Sequence, residues 1–300
     1  MTTAPIMIMA GGTGGHIFPG LAVAEVLRAR NQSVVWLGTE RGLEAKLVPD
    51  RGIEIEWIDI VGVRRRGLVA WLAAPFKIAR AIWQALGVVR RRRPAAVLGV
   101  GGFVSGPGGI AAWLTRKPLV IHEQNAVAGS ANRMLARFAD RVFEAFPGSF
   151  AAHHRAVTIG NPIRREIVAA AEQLAEPAAT GRRPRVLVIG GSQGALALNE
   201  AVPRALALMP EAERPEVRHQ AGRTLAEAQA AYRAAGVEDA TIEFIADMAA
   251  AYRWADLVIA RAGAISLAES YVNHGTRRPV EVFDRHRTRV YVSETRNTPA

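Results

Sequence analysis

The sequence predicts an α/β protein of two parallel-sheet domains, each covered by helices, facing one another across a cleft. Three observations carry that prediction. Short apolar runs alternate with amphipathic stretches along the first half, the pattern of strands and crossover helices. A strand–glycine–helix opening at residues 5–15 returns in character at residues 184–194. A passage rich in Pro, Ala, Thr and Gly, residues 176–184, precedes the second opening and marks a boundary between Asn161 and Pro184. The expected division is residues 1–162, a linker at 163–183, a second domain at 184–270 and a tail at 271–300.

The first opening runs Ile6-Met7-Ile8-Met9-Ala10, then Gly11-Gly12-Thr13-Gly14-Gly15-His16, then an apolar stretch with helical spacing from Leu21 to Leu27. Glycines without side chains let a backbone approach a phosphate, and a helix N-terminus offers free N–H groups and a positive dipole end. The turn lacks the spacing of the dinucleotide fingerprint, because Ile17 stands where its last glycine belongs, and no P-loop occurs. Strands are expected at Val34–Leu37, Ile53–Ile60, Ala95–Val100 and Leu119–His122, the last followed by Glu123-Gln124-Asn125. In the second half, residues 185–189 enter the paired glycines, Leu196–Leu208 follows as a helix, and residues 243–245 end a strand before Asp247 caps a helix. Leu257–Ala260 is a further strand running into a turn and helix at residues 261–269. Ligands of such sheets sit at the carboxyl ends of the strands, where these glycine and polar runs fall.

Composition narrows the chemistry. Half the residues are apolar, enough for two real cores. The absence of cysteine excludes disulfides, thiolate catalysis and cysteine-based zinc sites, and suits a reducing compartment. No signal peptide and no membrane span are expected. The net charge of +11 lies in one region: Ile60–His122 holds eleven cations and no acid. Within it, Leu68, Trp71, Leu72, Phe76, Ala79, Ile82, Trp83 and Leu86 form a helical stripe, with Lys77 and Arg80 on another face. Packing on the sheet, contact with anionic lipid headgroups and binding of nucleic acid all fit such a segment; packing combined with lipid contact is favoured, through Leu68, Trp71, Leu72, Phe76, Lys77, Arg80 and Trp83. No recognition-helix pattern accompanies the charge, so nucleic acid is not expected as a partner.

Seven motifs in register, GGTGGHIFPGLAVA, GVGGFVSGPGG, HEQN, GNPIR, GGSQGA, EFIADM and RAGAISLAE, closely resemble the MurG-type glycosyltransferases over residues 5–269. The resemblance implies the two-Rossmann architecture called GT-B. It implies inverting transfer of N-acetylglucosamine from UDP-N-acetylglucosamine to lipid I, giving lipid II for peptidoglycan, with no cofactor or metal. It implies a peripheral location on the cytoplasmic side of the inner membrane, with the donor, lipid I and anionic lipids as partners. The donor contacts it implies are Thr13, Gly14, Gly15, Asn125, Arg164 and Ser192, the backbone of Ile245 at uracil, and Ala264, Ile265, Ser266, Leu267, Ala268 and Glu269, with Glu269 on the ribose. His16 is the first candidate for the general base and His122 the second. Two alternatives stand beside this reading: another GT-B transferase of UDP-sugars, and a non-catalytic remnant that binds UDP-sugar or membrane.

After Glu269 the family pattern stops. The last thirty residues hold six arginines and no regular apolar stripe, and no glutamine follows Gln229. The second domain is therefore expected to be incomplete, with a truncated or frame-shifted, poorly ordered tail and weak or no activity.

Overall fold

The computed structural model describes residues 4–60, 74–172, 182–260, 263–266, 268–269 and 291–294. The chain divides into two compact units, Met1–Arg164 and Arg165–Ala300. Each is an open sheet wound in both directions from its first strand.

Unit 1 is built on β1 (Ile6–Ala10), β2 (Val34–Gly38), β3 (Glu54–Trp57), β4 (Ala96–Gly101), β5 (Leu119–Glu123), β6 (Arg141–Glu144) and β7 (Val157–Thr158). The order is β3-β2-β1-β4-β5-β6-β7, and every pairing is parallel. The chain winds outward from β1 to β3, then crosses back to lay β4 on the other side of β1. The carboxyl ends of β1 and β4 are therefore the topological switch point. The helices are α1 (Gly14–Ala29), α2 (Glu44–Leu47), α3 (Ala74–Arg92), α4 (Ser105–Leu114) and α5 (Ser130–Leu135).

Two clusters fill the faces of this sheet. One gathers Met7, Met9, Leu37, Val97, Leu119 and Ile121 beneath Ala85, Val88 and Val89 of α3 and Ala111 and Ala112 of α4. The other gathers Ile8, Trp36, Val48 and Ile53 beneath Ile17, Leu21 and Ala24 of α1. Each fully buried aliphatic side chain is worth about 1.5–3 kcal/mol, so the strands are held by their alternate apolar faces. A Cβ on Gly20 would lie 2.6 Å from the Trp36 ring, so α1 sits this close to β2 only with glycine there. The Trp36 indole donates to the Ala10 carbonyl at 2.9 Å, pinning the end of β1 as it enters the turn.

Unit 2 opens with α6 (Arg165–Glu172) and contains β8 (Arg185–Ile189), α7 (Leu196–Ala207), β9 (Glu216–Gln220), α8 (Leu225–Ala235), β10 (Thr241–Ile242), α9 (Met248–Trp254), β11 (Leu257–Ala260) and β12 (Tyr291–Glu294). The order is β10-β9-β8-β11-β12. β8 and β11 run parallel with Ile189 opposite Ala260, so their carboxyl ends form a second switch point. β12 pairs antiparallel to β11 and comes from the stretch for which the sequence gives no alternating pattern. The segment expected to end a strand at residues 243–245 does not: β10 stops at Ile242, and the chain then bends to let the Glu243 carbonyl accept from Gly222 N at 3.0 Å. Asp247 caps α9 as expected, accepting from Ala250 N at 2.8 Å.

Candidate active site

The glycine turn after β1 rests on a carboxylate that sequence reading did not single out. Glu44 is fully buried. One of its oxygens accepts from Gly12 N at 3.0 Å; the other accepts from Thr39 N at 3.0 Å and the Thr39 hydroxyl at 2.8 Å. A Cβ on Gly11 would lie 2.7 Å from this carboxylate and one on Gly42 only 1.9 Å, so both glycines make room for it. The turn after β4 closes from the other side. Gly102 has φ +83°, and a Cβ there would lie 2.2 Å from the Gly11 carbonyl oxygen. Two glycine turns thus stack at the switch point, and α1 begins at Gly14 directly behind Thr13, leaving its first-turn N–H groups at the rim. Gly12, Thr13 and Gly15 are exposed, and Gly14 is buried against Phe18.

His16, half-buried in the first turn of α1, lies over Gly101, where a Cβ would meet its ring at 2.6 Å. Its Nδ1 is 2.9 Å from Gln124 Oε1. Gln124 Nε2 is 3.0 Å from His122 Nδ1 and donates to the His122 carbonyl at 3.0 Å. His122 Nε2 is 2.9 Å from the Gly160 carbonyl. Burial pushes the His122 imidazole below its ordinary pKa, against the opposing pull of the Gly160 carbonyl and Glu123. The two candidate histidines are therefore brought together through a glutamine, with His16 toward the rim and His122 behind it.

Glu123 organises the same loop. Fully buried, it accepts from Asn125 N at 3.0 Å, Asn125 Nδ2 at 2.8 Å, Gly129 N at 3.0 Å and Asn132 Nδ2 at 2.9 Å. Asn125 is exposed, its amide nitrogen held inward. Arg164 is buried with its guanidinium 4.3 Å from the centroid of the Phe18 ring, a stacking that places it against α1 behind Gly14.

In unit 2 the turn Gly190–Gly194 is backed mainly by main chain. Gly190 N donates to Gln220 O at 2.9 Å and Gly194 N to Gly191 O at 3.0 Å. Gly191 and Gly194 have φ of +76° and +80°. A Cβ on Gly194 would lie 2.0 Å from the Thr224 hydroxyl, which itself donates to Ala221 O and accepts from Asn199 Nδ2, both at 2.8 Å. Ser192 is half-buried, and its carbonyl accepts from Arg223 N at 3.3 Å. Beyond β11, residues 264–266 and 268–269 are helical; Ala264, Ile265, Ser266 and Ala268 are half-buried and Glu269 is buried. Ile245 is buried in the loop after β10. Leu267 lies outside the described residues.

Comparison with known families decides what these two switch points belong to. Residues 6–144 match the glycosyltransferase family 28 N-terminal domain and residues 185–276 its C-terminal domain. The chain belongs to glycosyltransferase family 28. It is 59% identical over 265 residues to the UDP-N-acetylglucosamine--N-acetylmuramyl-(pentapeptide) pyrophosphoryl-undecaprenol N-acetylglucosamine transferase of Nitrosococcus oceani, covering 88% of this chain and 74% of that one. To the enzyme of the same name from Alkalilimnicola ehrlichii it is 56% identical over 268 residues, covering 89% and 75%. The crystal structure of Acinetobacter baumannii MurG superposes with a TM-score of 0.63 at 40% identity, covering 88% of this chain and 73% of that one. The family 28 match places the expected GT-B architecture on firm ground, each unit carrying one of its two α/β domains.

The basic segment is less uniform than its sequence. Leu68, Trp71 and Leu72 lie outside the described residues. In α3 the packed face is Ala81, Ala85, Val88 and Val89, while Phe76 is 79% and Trp83 74% exposed. Of the described part of the stripe, Leu86 packs on the core and Ile82 is half-buried, whereas Phe76 and Trp83 do not pack on the sheet. Lys77 is exposed. Arg80 pairs with Asp59, Arg91 with Glu56, and Arg92 with Glu54 and Glu56, so acids from just before the segment balance part of its charge. No helix among the described residues is long and apolar enough to cross a membrane.

Proposed function

We propose that the chain transfers N-acetylglucosamine from UDP-N-acetylglucosamine to lipid I, the undecaprenyl-linked muramyl pentapeptide, forming lipid II. The observation that carries this is the 59% identity, over 265 residues, to a transferase whose name states that reaction. The acceptor oxygen attacks the anomeric carbon, the bond from that carbon to the UDP oxygen breaks, and UDP leaves with the electron pair. Two things must be supplied: a base for the hydroxyl proton and stabilisation for the charge growing on the diphosphate.

His16 suits the first task. It is the rim-facing histidine of the pair, on the exposed turn of unit 1. The loops at the β8/β11 switch point suit the second, with main-chain N–H groups of the glycine turn for the diphosphate and Glu269 for the ribose hydroxyls. Thr13, Gly14, Gly15 and Asn125 are read as further donor contacts, and Arg164 as a cation behind them. The exposed Phe76 and Trp83 with Lys77 support contact with an anionic membrane surface, which brings the lipid-linked acceptor within reach.

The test is UDP release coupled to disaccharide formation with a lipid I analogue, using the purified 300-residue chain. Any turnover is expected to be weak and confined to UDP-N-acetylglucosamine among UDP-sugars. UDP binding without turnover would favour the remnant reading instead. Vesicles containing anionic lipid should bind the chain more tightly than neutral vesicles, and Phe76→Ser with Trp83→Ser should weaken binding to both.

A further inference from the structure

The chain of contacts behind His16 has a direction that its end partner sets. The Gly160 carbonyl only accepts hydrogen bonds, so the 2.9 Å contact requires a proton on His122 Nε2. The Gln124 amide nitrogen facing His122 Nδ1 is a donor, which needs that atom bare, and burial favours the same neutral ring by lowering its pKa. A bare Nδ1 accepts, and the group 3.0 Å from it is the Gln124 amide nitrogen. That nitrogen's other proton goes to the His122 carbonyl at 3.0 Å, so both donors of the carboxamide are engaged and its orientation is fixed. Gln124 Oε1 therefore faces His16 at 2.9 Å, and a carbonyl oxygen there demands a proton on His16 Nδ1. In a neutral imidazole the other nitrogen, Nε2, is then the one with a free lone pair.

We propose that Gln124 and His122 are positioning residues that hold His16 as the Nδ1–H tautomer, so that Nε2 is the atom that takes the acceptor proton. The proposal rests on the reading of His16 as the base. A neutral histidine in water prefers the opposite tautomer, with the proton on Nε2, in which that atom cannot accept. The relay removes this waste of the resting population. The ring keeps its place against Gly101 because that residue has no Cβ, which would lie 2.6 Å from His16 Nδ1. When the acceptor hydroxyl loses its proton to Nε2, the Nδ1–H stays on Gln124 Oε1. One N–H bond forms, one O–H bond breaks, and no proton has to travel along the chain. Gln124 is buried, so the relay is shielded from water that would compete for these contacts.

The experiment combines two readouts on the full chain labelled with 15N-histidine, assigned with His16→Ala. Long-range 1H–15N correlations report which ring nitrogen carries the proton. Wild-type His16 should show a protonated Nδ1 and a bare Nε2, and Gln124→Met should move it toward the Nε2–H form. Turnover of Gln124→Met should fall by about 10- to 100-fold, with the KM for UDP-N-acetylglucosamine within about twofold, as expected when a base is left in the wrong tautomer. An unchanged circular dichroism spectrum and urea midpoint of Gln124→Met guard against a loss caused by misfolding. Finding wild-type His16 protonated on Nε2, or an unchanged tautomer in Gln124→Met, overturns the relay. If His16→Ala turns over like wild type while the tautomer still follows Gln124, the base assignment is overturned and the tautomer control stands.

Discussion

In unit 1 the glycine turn after the first strand leans on a buried carboxylate and, through a glutamine, on two imidazoles. In unit 2 the corresponding turn leans on main-chain carbonyls, a threonine and an asparagine. Both stand where the winding of a parallel sheet reverses, β1 against β4 and β8 against β11. Shared topology supplies each unit with a rim of backbone N–H groups, which is enough to hold an anion. What topology does not supply is a proton acceptor, and that appears where the α1 helix starts one residue after Thr13, carrying His16 in its first turn. In unit 2 the helix starts later, at Leu196, so the turn itself is longer and mostly backbone. On the proposed reading, proton chemistry falls to the first rim and anion holding to the second.

The strongest way to break that assignment is kinetic. His16→Ala should lower turnover by about 10²- to 10⁴-fold, the usual range for a positioned acid or base. Ser192→Ala, at the second rim, should leave turnover nearly unchanged and raise the KM for the donor. Equal losses of turnover in both variants, in steady-state assays, would erase the distinction.

A second test compares the two buried histidines. His122 links outward to the rim, whereas His219 of β9 is enclosed beside Tyr232, with its Nδ1 3.2 Å from the phenol oxygen. Burial pushes His219 down to about 4, from an ordinary value of 6.5. The unfolded chain therefore binds the extra proton first as pH falls. Stability linked to this group is complete above about pH 6.5 and declines down to about pH 4, by roughly 3 kcal/mol in all. Urea unfolding of unit 2 across that window should show the decline, and His219→Gln should flatten it. A decline undiminished in the variant would place the buried proton site elsewhere.

The third is structural. Glu44→Ala strips the partner from Gly12 N, Thr39 N and the Thr39 hydroxyl, and should cost unit 1 about 2–3 kcal/mol. Its unfolding midpoint in urea should drop while that of unit 2 stays put. A shift of both would mean that the carboxylate supports more than its own turn.

Much of this was legible beforehand because it is written in contiguous residues. Unbroken apolar runs announced β1, β4, β5, β8 and β11, and paired glycines announced both rims. Strands without such runs were not foreseen: β6 is Arg-Val-Phe-Glu and β9 is Glu-Val-Arg-His-Gln, each short and half charged. The end of β10 was misplaced because Phe244 and Ile245 are as apolar as a strand, although the chain there turns to meet Gly222. Glu44 gave no sign of its role in the glycine turn, since Gly12 lies 32 residues away, although its other partner Thr39 is only five residues before it. Gln124 stood inside a recognised motif but received no role, because its meaning depends on His16, 108 residues distant. Helical periodicity, finally, cannot tell an aromatic stripe that packs from one that stays exposed; Phe76 and Trp83 were settled only by the packing of Ala81, Ala85, Val88 and Val89 beneath the helix.

The central division between the two rims is tested most directly by calorimetric titration of UDP into wild type, Gly194→Ala and His16→Ala. Gly194 has φ +80°, and the added methyl would collide with Thr224. Left-handed strain of about 1–2 kcal/mol, before the collision is counted, predicts UDP binding weakened by roughly tenfold or more in Gly194→Ala. His16→Ala should bind UDP as wild type does, within about twofold, or 0.4 kcal/mol. The reverse pattern, with UDP affinity lost at His16 and kept at Gly194, would contradict the account.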